Sequence, residues 1–446
     1  MSPWLDGRNL SDLRACFDGV IPSIVATVDE AGVPNVSYLS QVYYVDEAHV
    51  ALSNQFFSKT AHNVARRRRA TLMVVDAASG DQYVLDIEPV RQENDGELFA
   101  RMSAHLDALS SRDGLGGVMK LRSADVYRVH AVTAVPSPGA IEMPPSAPPR
   151  AVALELLAAL AAELAAEPDA GAMLDRALEG IEQALGVAHA MLLVSDEAGE
   201  RLVTLASRGY PQGGVGSEVV LGEGVIGLAG ASRRPVRIAD MSRGRRYVAA
   251  VSAGQAEVER HIVLPGLPMP QSQLAVPLLR QGRLIGVLFA ESTERSAFSH
   301  EHEAALSLIA LPLAAGLGLR DEPEAPKAVA APAPMPVGHG SFRLRHHRFD
   351  DAVFLDDAYL IKGVAGRLLM LLVEGYRRDG RTEFANRDIR RAPELKLPDL
   401  KDNLETRLLL LRRRLEEKQA PLRLVPAGRG LVRLEVAGTP VIERAG

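Results

Sequence analysis

Ser58-Lys59-Thr60, with Asn63 one helical turn further on, brings two hydroxyls, an ammonium and an amide to the point where a strand-like run gives way to a helical one. Backbone N–H groups point outward at such a junction, and with one cation beside them they form a site for an anion such as a phosphate. A second group lies near the C-terminus. Leu400, Leu404, Leu408, Leu411 and Leu415 recur at helical spacing, and the flanking side of that helix carries Asn403, Thr406, Arg407, Leu410, Arg413 and Arg414. A polar and basic strip of this kind can lie in the major groove of double-stranded DNA, with Arg429 at the tip of the turn Ala427-Gly428-Arg429-Gly430 touching the backbone or minor groove. Plainer roles compete with both. Ser-Lys-Thr can simply cap a helix, and an Arg-rich face can pack against an acidic partner domain.

Other chemistry is sparse. Cys16 is the single cysteine, which leaves no intrachain disulfide and no Cys-based zinc site and fits a reducing cytoplasm. His62, His105, His130 and His261 stand alone, and each is more readily a surface or core residue than a haem ligand. No acid/base or nucleophile constellation is present, so any catalysis would rest on a bound cofactor. Charge is segregated. Residues 341–446 hold 22 Lys and Arg against 16 Asp and Glu, a net of +6, while the rest of the chain holds 29 against 40. A basic end suits phosphate contact, because counterion release drives most of the affinity for a duplex. The N-terminus lacks a secretory pattern, and the apolar run from Ala304 to Leu319 contains Pro312 and falls short of the ~20 residues that span a bilayer. The expectation is a cytoplasmic protein without a membrane segment.

The elements that would position these groups fall into three modules. The segments 134–150 and 321–340 are rich in Pro and Ala, the composition of semi-rigid spacers. They bound modules at 1–133, 151–320 and 341–446. The first reads as β-rich, with strands at Ser23 to Val28, Pro34 to Val45, His49 to Ser53, Ala70 to Val75 and Ala124 to Val129. In the second, stripes at Leu154, Leu157, Leu160, Leu164 and at Leu174, Leu178, Ile181, Leu185 predict two helices. Strands follow at Ala188 to Asp196, Arg201 to Arg208, Pro235 to Ile238, Gln273 to Leu279 and Arg283 to Ser292. The third has helices over Val364 to Tyr376, Glu383 to Arg391 and a long one opened by Pro398 and Asp399, then a hairpin of Leu422 to Val425 and Leu431 to Val436.

These patterns carry three resemblances. The strand, the Ser58-Lys59-Thr60-x-x-Asn63 helix, the next strand and the closing Ala124 to Val129 resemble the FMN-binding split barrel of the pyridoxamine-phosphate-oxidase-like family. That resemblance implies an FMN phosphate held by Ser58, Lys59, Thr60 and Asn63, with Ser40 and Gln41 near the ring, and pairing into a homodimer. No Trp-Gly-Gly substrate motif follows the last strand, which argues against pyridoxamine phosphate oxidation; other members use other flavins or haem, or bind nothing. The order Val-Leu-Gly-Glu-Gly-Val-Ile-Gly, Leu-Ala-Val-Pro-Leu-Leu, Gly-Arg-Leu-Ile-Gly-Val-Leu and Phe298-Ser299 resembles a GAF domain, which implies a small-molecule ligand or dimerisation. No cysteine is there to attach a bilin; His261, Arg245, Arg246 and Tyr247 fall in its pocket-covering segment. Arg-Leu-x-x-Leu-Arg-Arg-Arg-Leu and the Gly-rich turn resemble the response-regulator type of winged-helix DNA-binding domain. The expected fold is multidomain α+β: split β-barrel, α/β/α sandwich, winged helix. The expected function is a one-component transcriptional regulator, against the alternatives of a flavin-dependent oxidoreductase or a protein-interaction scaffold.

Overall fold

The computed structural model describes residues 9–445 except 20, 40, 55–57, 78, 113–119, 136–150, 197, 242–261, 319–339, 396–403 and 429. Alternating buried and open positions mark the strands of the first module, as in Ser23–Val28 (β1) and Ala70–Val75 (β5). With Pro34–Leu39 (β2), Val42–Asp46 (β3), His49–Asn54 (β4), Gln82–Glu93 (β6) and Ser123–Val135 (β7) they form one antiparallel sheet in the order β2-β1-β5-β6-β7-β4-β3. A 3-10 helix, Leu10–Phe17, contributes Leu10, Leu13 and Phe17 to its core. The strand expected over Pro34 to Val45 is two strands, with Gln41 at the break. Helix Ser58–Arg67 (α1) lies on β1 and β2, and Gly96–Arg112 (α2) packs between this module and the next.

Helices Leu154–Ala166 (α3) and Ala170–Leu185 (α4) open the middle module on the predicted stripes. Asp169 caps α4 by accepting from the Ala172 N–H at 2.8 Å. The two helices approach closely at Gly180, where a Cβ would sit 2.3 Å from Leu160 Cδ1. They cover a six-stranded sheet of order β10-β9-β8-β13-β12-β11. Its strands are His189–Ser195 (β8), Arg201–Arg208 (β9), Glu218–Val220 (β10), Val236–Ile238 (β11), Ser272–Arg280 (β12) and Arg283–Ser292 (β13). Gly224–Ser232 (α5) crosses the other face, and His300–Gly318 (α6) returns beside α3 and α4. This is a sheet between helical layers.

Residues 341–445 begin with Ser341–His347 (β14), Ala352–Leu355 (β15) and Ala358–Ile361 (β16), joined by Thr439–Ala445 (β20) pairing parallel to β14. Between them come Gly363–Asp379 (α7), Glu383–Ala385 (β17), Asn386–Arg390 (α8), Leu404–Glu417 (α9), and the hairpin Leu422–Pro426 (β18) with Leu431–Val436 (β19). The stretch expected as a helix from Glu383 starts instead as strand β17, because it pairs with β19 and Arg433 reaches Glu383 at 2.8 Å. Pro398, Asp399, Leu400 and Asp402, expected to open α9, lie outside the described residues. Among the described residues no helix is long and apolar enough to cross a membrane.

Candidate functional site

At the start of α1 the predicted phosphate residues divide. Thr60 and Asn63 are buried, and their polar groups are turned to β1 and β2. Asn35 Nδ2 donates to Thr60 Oγ1 at 3.0 Å, Thr60 and Ser37 share a hydroxyl hydrogen bond of 3.1 Å, and Asn63 Nδ2 donates to Thr27 Oγ1 at 3.1 Å. These five side chains pin α1 to the sheet. The expectation that Thr60 and Asn63 hold a phosphate thus falls on residues whose hydrogen bonds already tie α1 to the sheet. Lys59 is exposed, and no acidic residue occupies the first turn, so the positive end of the α1 dipole is unopposed. Ser58 begins the helix, with its side chain outside the described residues, as is Ser40. Gln41 is buried between β3 and β4, where its backbone and Ser53 bond each other, yet its side-chain Oε1 has no partner. Lys59 and the α1 N-terminus therefore fit the phosphate of a flavin mononucleotide, and the orphaned Gln41 acceptor fits an N–H donor such as its ring carries. Sequence reading missed Thr27, Asn35 and Ser37. Asn35 and Ser37 stand two apart on β2, and such polar spacing on one face was the available signal.

Cys16 is packed in the barrel core, where burial pushes its thiol up to about 12 and keeps it neutral. His62 is exposed, and His130 Nε2 meets Glu88 Oε2 at 2.8 Å. No His/Cys/Asp/Glu metal cluster occurs among the described residues.

The predicted DNA strip is not an open face. From Leu404 to Leu415 every residue of α9 is buried or half-buried. Arg414 is 4% exposed, its Nε donating to Leu360 O at 2.8 Å and its Nη1 to Glu417 at 2.7 Å, and Arg407 is 8% exposed. Both belong to the interior of the arrangement. Thr406 is half-buried, and Asn403 and Arg429 lie outside the described residues. Arg413 crosses to the middle module, donating through Nη2 to Gly171 O at 2.9 Å and to Asp175 Oδ1 at 2.8 Å on α4. Gly171 gives the room: a Cβ there would meet Arg412 Nη2 at 2.3 Å and Leu409 Cδ1 at 3.3 Å. Lys362 Nζ reaches Glu218 Oε2 at 3.0 Å nearby. Asp175 is mostly exposed, and such a pair stabilises by about 0–1 kcal/mol. Burying Leu409 contributes about 1.5–3 kcal/mol, and apolar packing therefore dominates this contact.

A second bridge joins the first two modules. Arg237 on β11 donates to Asp18 at 2.9 Å, Glu303 at 3.2 Å and Phe298 O at 3.2 Å, and Arg234 reaches Glu97 of α2 at 2.6 Å. Arg237 is well buried and triply bonded. His261, Arg245, Arg246 and Tyr247 lie outside the described residues.

Comparison with known proteins places two of the three modules. Residues 12–130 match the family described as pyridoxamine 5'-phosphate oxidase, and residues 167–317 match the GAF domain. The chain joins a pyridoxamine 5'-phosphate oxidase-like domain to a GAF domain. Among solved structures it is similar to the GAF domain of an Acinetobacter phosphoenolpyruvate-protein phosphotransferase, at 25% identity over 37% of this chain and 91% of that one, with a TM-score of 0.31. Free methionine-R-sulfoxide reductase from Neisseria meningitidis is 24% identical over 37% and 87%, with a TM-score of 0.29. An FMN-binding protein from Syntrophomonas wolfei subsp. wolfei is 19% identical over 29% and 86%, with a TM-score of 0.25. No curated protein matches.

The oxidase-like domain's polar network makes a stability prediction. Thr60→Val and Asn63→Leu leave buried partners unsatisfied and should each cost about 1–3 kcal/mol in urea unfolding of the first domain, whereas Lys59→Ala should leave its midpoint in place.

Proposed function

We propose that the chain is a signal-responsive regulator in which the oxidase-like and GAF domains take the input and residues 341–445 act on double-stranded DNA as a winged helix of the response-regulator type. The observation that carries this reading is the element order of the C-terminal module: strands β14 to β16, α7, β17, the short α8, the longer α9, the β18–β19 hairpin whose β19 pairs with β17, and β20, which returns to β14. The basic excess of this module supports the same reading, since a duplex is held largely through counterion release. The regulator works in the cytoplasm.

The input reading is that the first domain holds FMN, with Lys59 and the α1 N-terminus on its phosphate and Gln41 beside the ring. Bound there, the flavin supplies reversible electron transfer as the sensed property. The GAF domain takes a small-molecule ligand. Two copies pair through the edge strand β2, whose Val36 and Tyr38 are exposed, Tyr38 to 73%.

One observation favours a second reading, a protein-binding C-terminal module: Leu410 stands in the strip that would read a groove, and it is covered.

Two measurements test the proposal. FMN titrated into the full chain should bind with quenching of flavin fluorescence, and Lys59→Ala should weaken it by about 10- to 100-fold, the loss of one charge-assisted hydrogen bond. An unchanged affinity in that variant removes the phosphate assignment. Anisotropy of a labelled duplex with the full chain should give an affinity that falls linearly with salt on logarithmic axes. Absence of binding at low salt, both by the wild type and by variants that open the contact of α9 with α4, contradicts the DNA reading and favours the protein-binding one.

A further inference from the structure

The geometry points to the contact between α4 of the GAF domain and α9 as a lock on the output module, which must open before α9 meets a duplex. This rests on the DNA-binding reading above and names how that site is controlled.

Three observations carry it. The two uses of Arg413 exclude each other: Nη2 donates to Gly171 O and Asp175, and the same guanidinium cannot sit on a DNA phosphate while it is held there. The face of α9 bearing Leu409 and Arg412 is pressed to Gly171, so a duplex approaching that face meets α4 first. The contact is also imperfectly filled. A cleft of about 120 Å³ remains between α4 and α9, lined by Asp169, Gly171, Leu408, Leu409 and Arg412, and Asn386 beside it has a buried Oδ1 without a partner. A cleft open to solvent beside the contact leaves it short of the close packing of a protein interior. The ion pair that completes the contact has its acidic member largely in solvent, where salt screens it.

The device is built from this chain's residues: a glycine on α4 that admits Leu409 and Arg412 of α9, and an aspartate one turn later that, with the Gly171 carbonyl, fixes Arg413. Whatever shifts α4 relative to the sheet changes both at once. The coupling between two such states is commonly worth about a 5- to 150-fold change in affinity.

The test uses the full chain and a short fluorescent duplex of random sequence at low salt. Asp175→Arg places like charges across the contact, and Gly171→Leu wedges it while improving α4 as a helix. Neither residue belongs to the proposed DNA surface. Both variants should bind the duplex about 5- to 150-fold more tightly than the wild type, with unchanged far-ultraviolet circular dichroism. Equal binding by wild type and both variants overturns the lock and leaves the DNA reading standing. No binding by any of the three overturns the DNA reading, and the lock with it.

Discussion

Four consecutive leucines, Leu408 to Leu411, set the constraint on which the arrangement depends. At 3.6 residues per turn their side chains are spread over about 300° of the helix circumference, so no single face of the helix carries them all. All four are nonetheless buried. The seam legible from spacing, Leu404, Leu408, Leu411 and Leu415, lies with Leu409 and Leu410 in one apolar cluster that runs through the middle and C-terminal modules, so the helix takes cover from both. The N-terminal turn of α4 supplies part of it, and glycine at 171 makes the approach close enough. Sequestration of the arginines follows from the leucines. Arg413 lands on α4 because the helix carrying it is already held there by apolar packing.

The same logic of prior commitment runs through the first domain. Thr60 and Asn63 have the residue types of a phosphate site and the positions of one, yet their bonds go to Thr27, Asn35 and Ser37. What remains for an anion is what the fold does not consume: Lys59 and the unopposed end of α1. Between the first two domains Arg237 donates through Nη2, Nε and Nη1 to Asp18, Glu303 and Phe298 O, a buried bridge whose removal would strand carboxylates.

Much of the architecture was legible because its signals are periodic. Helix stripes at Leu157, Leu160 and Leu164, strands Arg201–Arg208 and Arg283–Ser292, and the Gly-rich hairpin all fall where spacing puts them. The misses have physical causes. Pro34 to Val45 reads as one strand-like run, but the polar pair Ser40-Gln41 interrupts its alternation, and the strands on either side, β2 and β3, stand at opposite edges of the sheet. Strand β17 is set by pairing with β19, fifty residues away at Glu383 and Arg433. Polar side chains were the least legible. Residue type tells that Arg407, Arg413 and Arg414 can meet an anion, but which anion depends on tertiary packing, and here carbonyls and carboxylates of the protein itself come first.

The most direct measurement of this account is amide hydrogen exchange over residues 404–415 in the full chain, compared between the wild type and Gly171→Leu. Cover from α4 predicts slow exchange in the wild type and clearly faster exchange in the variant, with the α7 helix behind it unchanged. Identical exchange in the two proteins would contradict it, because α9 would then be held by its own module alone.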